Sequence, residues 1–290
     1  MDACRSIGPL VILLLSAAAI ADETAPPAYT LEYQFKPGQV LNYQTRQSSQ
    51  IKLNVQGQTF TSSTDLQMVK RWRVLESSGT PGAQIEVTNL EIQMQGSDGT
   101  KTFDVDSRDP QKHPKEFEGL LAVVGIPLGV ASVSPTGTVL HVKRLIDAED
   151  MAAGLGNLCL PLPEKPVTVG EPWKREFTLT VTPADGERKI FTVLQKYTLE
   201  TVEGPIATIV YNSVLKTPVN DPQIEVQLAQ QLPSGTFEFN RQQGVVVSHT
   251  QKLEKNVVGY AGQGTAIDLA ITFTEQLQPP PTAKVQPETR

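Results

Sequence analysis

Three acids, Asp104, Asp106 and Asp109, stand in a D-x-D-x-x-D run beside a turn. Such oxygens suit a hard cation like calcium, which takes about six to eight of them from a flexible loop. The glycine and terminal glutamate of a calcium-binding loop are missing from their places, and Asp104 and Asp106 share a strand parity. They read as surface acids ahead of the Asp109-Pro110 turn, and no metal is assigned to them. The histidines His113, His141 and His249 form no H-E-x-x-H or H-x-H arrangement. His249 shares the parity of Val245 and Val247, which places it at the rim of a buried face, bonded to a neighbour. No G-x-S-x-G elbow marks a nucleophilic serine. A reactive thiol needs a nearby cation or a helix N-terminus. Cys159 has Leu158, Leu160 and Pro161 instead, and reads as a small buried hydrophobe. Gly262-Gln263-Gly264 precedes a strand-like run, so it is no dinucleotide loop, which must open a helix. The aromatics Tyr29, Tyr33, Phe35, Trp72 and Trp173 lie on opening strands, where packing is commoner than stacking on a sugar. No catalytic, cofactor-binding or metal-binding residue is assigned, and the chain reads as non-enzymatic.

Composition narrows the rest. Across 290 residues, charged side chains are 19% and hydrophobic ones 39%, which fits neither a disordered polyelectrolyte nor a membrane bundle. Lys and Arg number 25 against 31 Asp and Glu, a net charge of -6, so nucleic acid is not an expected partner.

Residues 1–21 read as a secretory leader. Arg5 supplies its positive start, Leu10 to Leu15 its apolar run, and Ala19-Ile20-Ala21 its cleavage site before Asp22-Glu23. The stretch from Ile7 to Ala21 is shorter than the roughly 20 residues of a membrane span, and Pro9 and Ser16 interrupt it. Cys4 precedes the apolar run, so acylation is not expected, and Cys159 is the single thiol after cleavage. The expected mature chain is released to a periplasm or beyond, with no transmembrane anchor. A flexible lead (22–30) and a disordered Pro-rich tail (278–290) bound it.

Between them, apolar and polar residues alternate with period two, the mark of an antiparallel sheet with one wet side. Tyr29, Leu31, Tyr33 and Phe35 begin the pattern. Ile51, Leu53 and Val55 continue it, and Phe60, Leu66, Met68, Trp72 and Val74 share one face. Ile85 and Val87 then give way to Leu90, Ile92 and Met94 on the other parity, which predicts a β-bulge near Thr88-Asn89. The alternation resumes through Phe191, Val193, Tyr197 and Leu199, through Ala207, Ile209 and Tyr211, and ends with Ile267, Leu269, Ile271 and Phe273. Helical spacing interrupts it at 114–124, at 145–155, and after the Asp221-Pro222 cap, where Ile224, Leu228 and Leu232 form a stripe. The order of elements repeats, suggesting a duplication: a first β-rich half at 31–143, a helix and Pro-rich joint at 144–166, and a second half at 167–277. The expected fold is mainly β with a few short helices: a long curved antiparallel sheet or half-barrel of two similar halves, helices covering one side.

Several short motifs look alike across a family. Phe103 to Pro110, Ile126-Pro127-Leu128, Pro135 to Leu140, Leu160 to Pro163, Val169 to Trp173, Thr217 to Pro222 and Val257-Val258-Gly259 resemble exported planctomycete-type bacterial proteins of unknown function. The resemblance implies export and a β-rich build, and no activity. The expected function is a binding protein of the envelope or extracellular space, with an apolar groove between curved sheet and helices. Its partner would be an apolar small molecule or lipid, or another envelope protein. The alternatives are a structural or interaction module without a ligand, and a secreted hydrolase with an unrecognised site.

Overall fold

The computed structural model describes residues 26–76, 79, 82–109, 113–146, 155, 158–183 and 186–279. The expected leader, residues 22–25 of the lead, most of the expected 145–155 helix and nearly all of the expected tail lie outside the described residues.

Strands dominate. The first group is β1 (Val40–Val55), β2 (Gln58–Val74), β3 (Ala83–Ser97), β4 (Thr102–Asp106), β5 (Pro127–Val133) and β6 (Val139–Arg144). The second is β7 (Pro172–Val181), β8 (Lys189–Glu203), β9 (Ile206–Leu215), β10 (Ser234–Asn240), β11 (Val245–Val258) and β12 (Thr265–Leu277). Among the described residues these twelve make one antiparallel sheet in the order β6-β5-β3-β2-β1-β12-β11-β10-β9-β8-β7, with β4 beside β3. Apart from β4 and the break between β6 and β7, each strand lies beside its neighbour in sequence, and the first strand pairs with the last from Tyr43↔Leu277 to Val55↔Thr265. The sheet is therefore a meander whose ends meet in its middle. Its two free edges, β6 and β7, flank the joint. The expected curved antiparallel sheet is what the chain forms, and it does not close.

Inward positions follow the alternation. Leu41, Tyr43 and Thr45 on β1 are buried, as are Trp72 and Val74 on β2, while their even or odd neighbours face water. The parity switch in β3 is a bulge: Val69 pairs with Glu91 but Lys70 with Asn89, leaving Leu90 as the extra residue. A second bulge changes the reading of β11. Glu238 pairs with Ser248 and Phe239 with Val246, so Val247 is the extra residue, and Val246 shares burial with Val245. Curvature shows in the core: Ile85 and Ala131 of one wing share a buried cluster with Tyr197, Ile209 and Phe237 of the other.

Lead and joint fill one end of the concave face. Tyr29 and Val167 form a bridge, with backbone bonds of 2.8 and 3.0 Å. The Tyr33 hydroxyl donates to the Leu160 carbonyl at 3.0 Å and accepts from the Leu160 N–H at 3.1 Å. Leu31, Leu155, Cys159 and Leu162 are buried in the same cluster, so the joint is core rather than tether. Gly137 permits this packing. Its φ of 81° suits glycine, and a Cβ there would stand 2.7 Å from the Tyr33 ring.

Among the described residues, helices cover less than the sequence suggests. The 114–124 segment shrinks to a 3-10 turn, Lys115–Phe117, and one short helix α1 (Glu118–Leu121), neither with a buried residue. Helix α2 (Pro222–Ala229) is capped by Asp221, whose carboxylate accepts from the N–H groups of Gln223 and Ile224 at 2.9 and 3.3 Å. Its burial has two faces instead of one stripe. Ile224 and Leu228 pack with Val181 and Phe191, and Val226 and Ala229 with Val257, Ile267 and Leu269. The helix thus wedges between the two sides of the curled sheet, and Leu232 lies beyond its end.

Candidate functional site

Between the plugged end and α2 the concave face is not filled. A cavity of about 620 Å³ remains, lined from both wings and from the joint. Met68, Leu120, Leu128, Phe177 and Phe273 give it apolar walls. Across its middle runs a polar belt, with Lys70, Gln195, Tyr211, His249, Gln251 and Glu275 among its members. A broader, shallow hollow of about 780 Å³ lies elsewhere, beside β4, and holds Asp65, Asp104 and His113.

Most of the belt is bonded to itself. Tyr211 donates its hydroxyl proton to Gln251 Oε1 at 3.0 Å, which leaves it to accept from His249 Nε2, 2.9 Å away. His249 is then the tautomer protonated on Nε2. These partners stand on β9 and β11, two strands apart. They meet across Gly235 of β10, where a Cβ would come within 3.0 Å of the Tyr211 ring. Tyr197 donates to Gln195 Oε1 at 2.8 Å, Gln195 Nε2 to Ser213 Oγ at 3.1 Å, and Ser213 to the Pro233 carbonyl at 2.9 Å. Rings follow the same path. Trp173 stacks on Tyr197 at 5.6 Å and Tyr197 on Tyr211 at 5.5 Å, and His249 meets Phe273 edge-on at 5.7 Å. This wall is held rigid by bonds that do not need a ligand.

Three charged groups in the lining are not so held. Lys70 and Arg175 make no hydrogen bond or ion pair with any described residue; each lies over a ring, Phe273 at 5.9 Å and Phe177 at 5.6 Å. Glu275 sits across the strand pair from His249 and is likewise unbonded among the described residues. Burial raises its carboxyl above the ordinary range, and Lys70 offsets part of that.

Burial, helped by Lys70, lowers the His249 imidazole to about 4. An unfolded histidine titrates near 6.5. Between those values the unfolded chain binds more protons, so this contribution to stability is whole above about pH 6.5 and drains as pH falls towards 4. Glu275 acts in the opposite sense, because its raised carboxyl is favoured when protonated. A comparison with His249→Gln, which cannot titrate, separates the two. Between pH 7 and pH 4.5 the unaltered protein will lose about 2–3 kcal/mol more than the variant in urea unfolding. Parallel losses would show that His249 is not the buried neutral group described here.

The sequence candidates are scattered. Cys159 is buried at the plugged end, where burial pushes its thiol up and away from reactivity. His141 is exposed on β6. Asp106 is taken by Arg108 at 2.7 Å and by Gln93 at 2.9 Å, and the Arg108 bonds hold its carboxyl well below the usual range. Only His249, Cys159, Tyr33 and Trp72 reach the cavity. His249 is 8% exposed and inside the wall instead of at a rim, because the bulge at Val247 turns it inward. Sequence reading missed Lys70, Glu275, Arg175 and the Gln195-Tyr197 pair. One signal was present: a charged residue at an inward position, as in Met68-x-Lys70-x-Trp72 and Phe273-x-Glu275-x-Leu277.

No protein-family model matches the chain, and no curated protein does. Among solved structures it is similar to lipovitellin, in a structure of lipid-protein interactions in that protein, at 12% identity and a TM-score of 0.52. That match covers 85% of this chain and 26% of the lipovitellin chain, so this chain spans about a quarter of it. DynF of the dynemicin biosynthesis pathway of Micromonospora chersina aligns over 94% of each chain at 10% identity, but its TM-score of 0.22 is too low to compare shapes. The chain is similar in fold to a segment of lipovitellin.

Proposed function

We propose that this protein binds a small lipid-like molecule in the cavity of its curved sheet and acts as an exported, non-enzymatic carrier or sensor of it. The cavity is the observation behind the reading. A close-packed interior is the rule for a protein core, and this one keeps about 620 Å³ open between plug and helix. That lies within the roughly 300–1,000 Å³ of small-molecule sites, and the mix of apolar walls with a few placed polar groups is theirs too. The likeness to lipovitellin, a protein described for its lipid-protein interactions, supports the same reading. Export rests on the leader-like pattern of residues 1–21 and on the resemblance to exported bacterial proteins.

One preparation tests both parts. Protein purified from its native host will begin at Asp22 by intact mass, and organic extraction will release a lipid-like compound in near-stoichiometric amount. Met68→Trp, which fills the cavity from β2, will lower that amount severalfold without unfolding the sheet. An empty extract, or full retention by the variant, refutes binding in the cavity.

A further inference from the structure

We propose that the ligand carries an anionic head, a carboxylate or phosphate ester, which docks at Lys70. The inference rests on the cavity reading above and says what kind of molecule enters. Lys70 lies on the inward row of β2 between Met68 and Trp72, all three lining the cavity. It is half-buried, yet no acceptor among the described residues bonds its ammonium, and the Phe273 ring at 5.9 Å is a weak substitute. A cation withdrawn from water without a partner is costly, and an anion arriving with the ligand would remove that cost. The next residue in the row, Trp72, buries an indole N–H that also lacks an acceptor. Both the N–H dipole and the charge on this strand favour a negatively charged group beside it.

The rest of the lining agrees. Arg175 supplies a second unpaired cation from β7, in the opposite wing. His249 carries no charge at neutral pH. Among the described residues Glu275 is the one carboxyl in the lining, and it makes no ion pair with Lys70. Burial favours its protonated form, which weakens its opposition to an anion. A chain of net charge -6 thus presents, among the described residues, a cavity lined by two cations and one carboxyl. Met68, Leu120, Leu128 and Phe177 are left to receive an apolar body. A neutral lipid would use these walls and leave Lys70 unpaired.

The probes are a naturally fluorescent polyene fatty acid and its methyl ester, titrated at pH 7 into the delipidated protein. The acid will bind about tenfold or more tightly than the ester, the worth of one charge-assisted bond. Lys70→Met will abolish that preference while leaving ester binding intact, and Lys70→Arg will keep it. Glu275→Gln will preserve or increase it. Thermal melts of each variant check that it is folded. Equal affinity for acid and ester, or a Lys70→Met loss shared by both, overturns the anionic head and spares the cavity. Binding of neither probe overturns the cavity reading and this inference together.

Discussion

Expressed apart, residues 26–163 and 164–279 will not fold, while the whole chain will melt in one cooperative step. The reason is the meeting of chain ends in the middle of the sheet. Parting the halves strips β1 from β12 along their whole register, from Tyr43↔Leu277 to Val55↔Thr265. It leaves each fragment with a long unpaired edge, and such edges aggregate. It also divides the largest core, where Trp72, Ile85 and Ala131 pack with Tyr197, Ile209 and Phe237. The second fragment keeps the small faces under α2, but neither fragment keeps the opposite wing over its main apolar face. Co-expression restores what separation removes, so the two fragments made together will be recovered as one soluble complex with a single transition. The bond between Pro163 and Glu164 is dispensable in that experiment, because the joint lies at the sheet's free edges and the pairing lies elsewhere. Two fragments that are each soluble and cooperative would show that the sheet is not a single unit.

The second large effect is at α2. Leu228 is 0% exposed and packs with Val181, Phe191 and Ile224. Leu228→Ala will destabilise the protein by about 2–5 kcal/mol, because the helix is wedged between two sides and the gap cannot collapse. For a chain of this size that lowers Tm by roughly 5–15 °C. Leu232→Ala is the contrast. Leu232 belongs to the same stripe by spacing, but it lies past the helix and is only half-buried, so its loss will cost about 1 kcal/mol or less. Differential scanning calorimetry of the two variants decides the matter. Equal shifts would mean that the helix continues through Leu232 and faces one way.

The strand faces were readable because alternation is local. Whether Val193, Tyr197 or Ile209 points inward depends on its own strand, and period two states it. The same holds for the bulge at Leu90, which announces itself as a change of parity, and for the Asp221 cap, whose partners are two and three residues away. The curved antiparallel sheet was legible for that reason. The second bulge, at Val247, was not: Val245 to Val247 are all apolar, so no parity change shows, and its consequence is that His249 turns into the wall. The cavity belonged wholly to the tertiary structure. Lys70 and Arg175 lie far apart in sequence and line one space because the sheet curls. Tyr211 reaches His249 because Gly235, on the strand between, has no side chain. The pairing of the first strand with the last also has no local mark, since an edge row of N–H and C=O groups looks the same on every strand. From residues alone came which side of each strand is wet. The fold decided which dry sides face one another, and left between them a space with two unpaired cations.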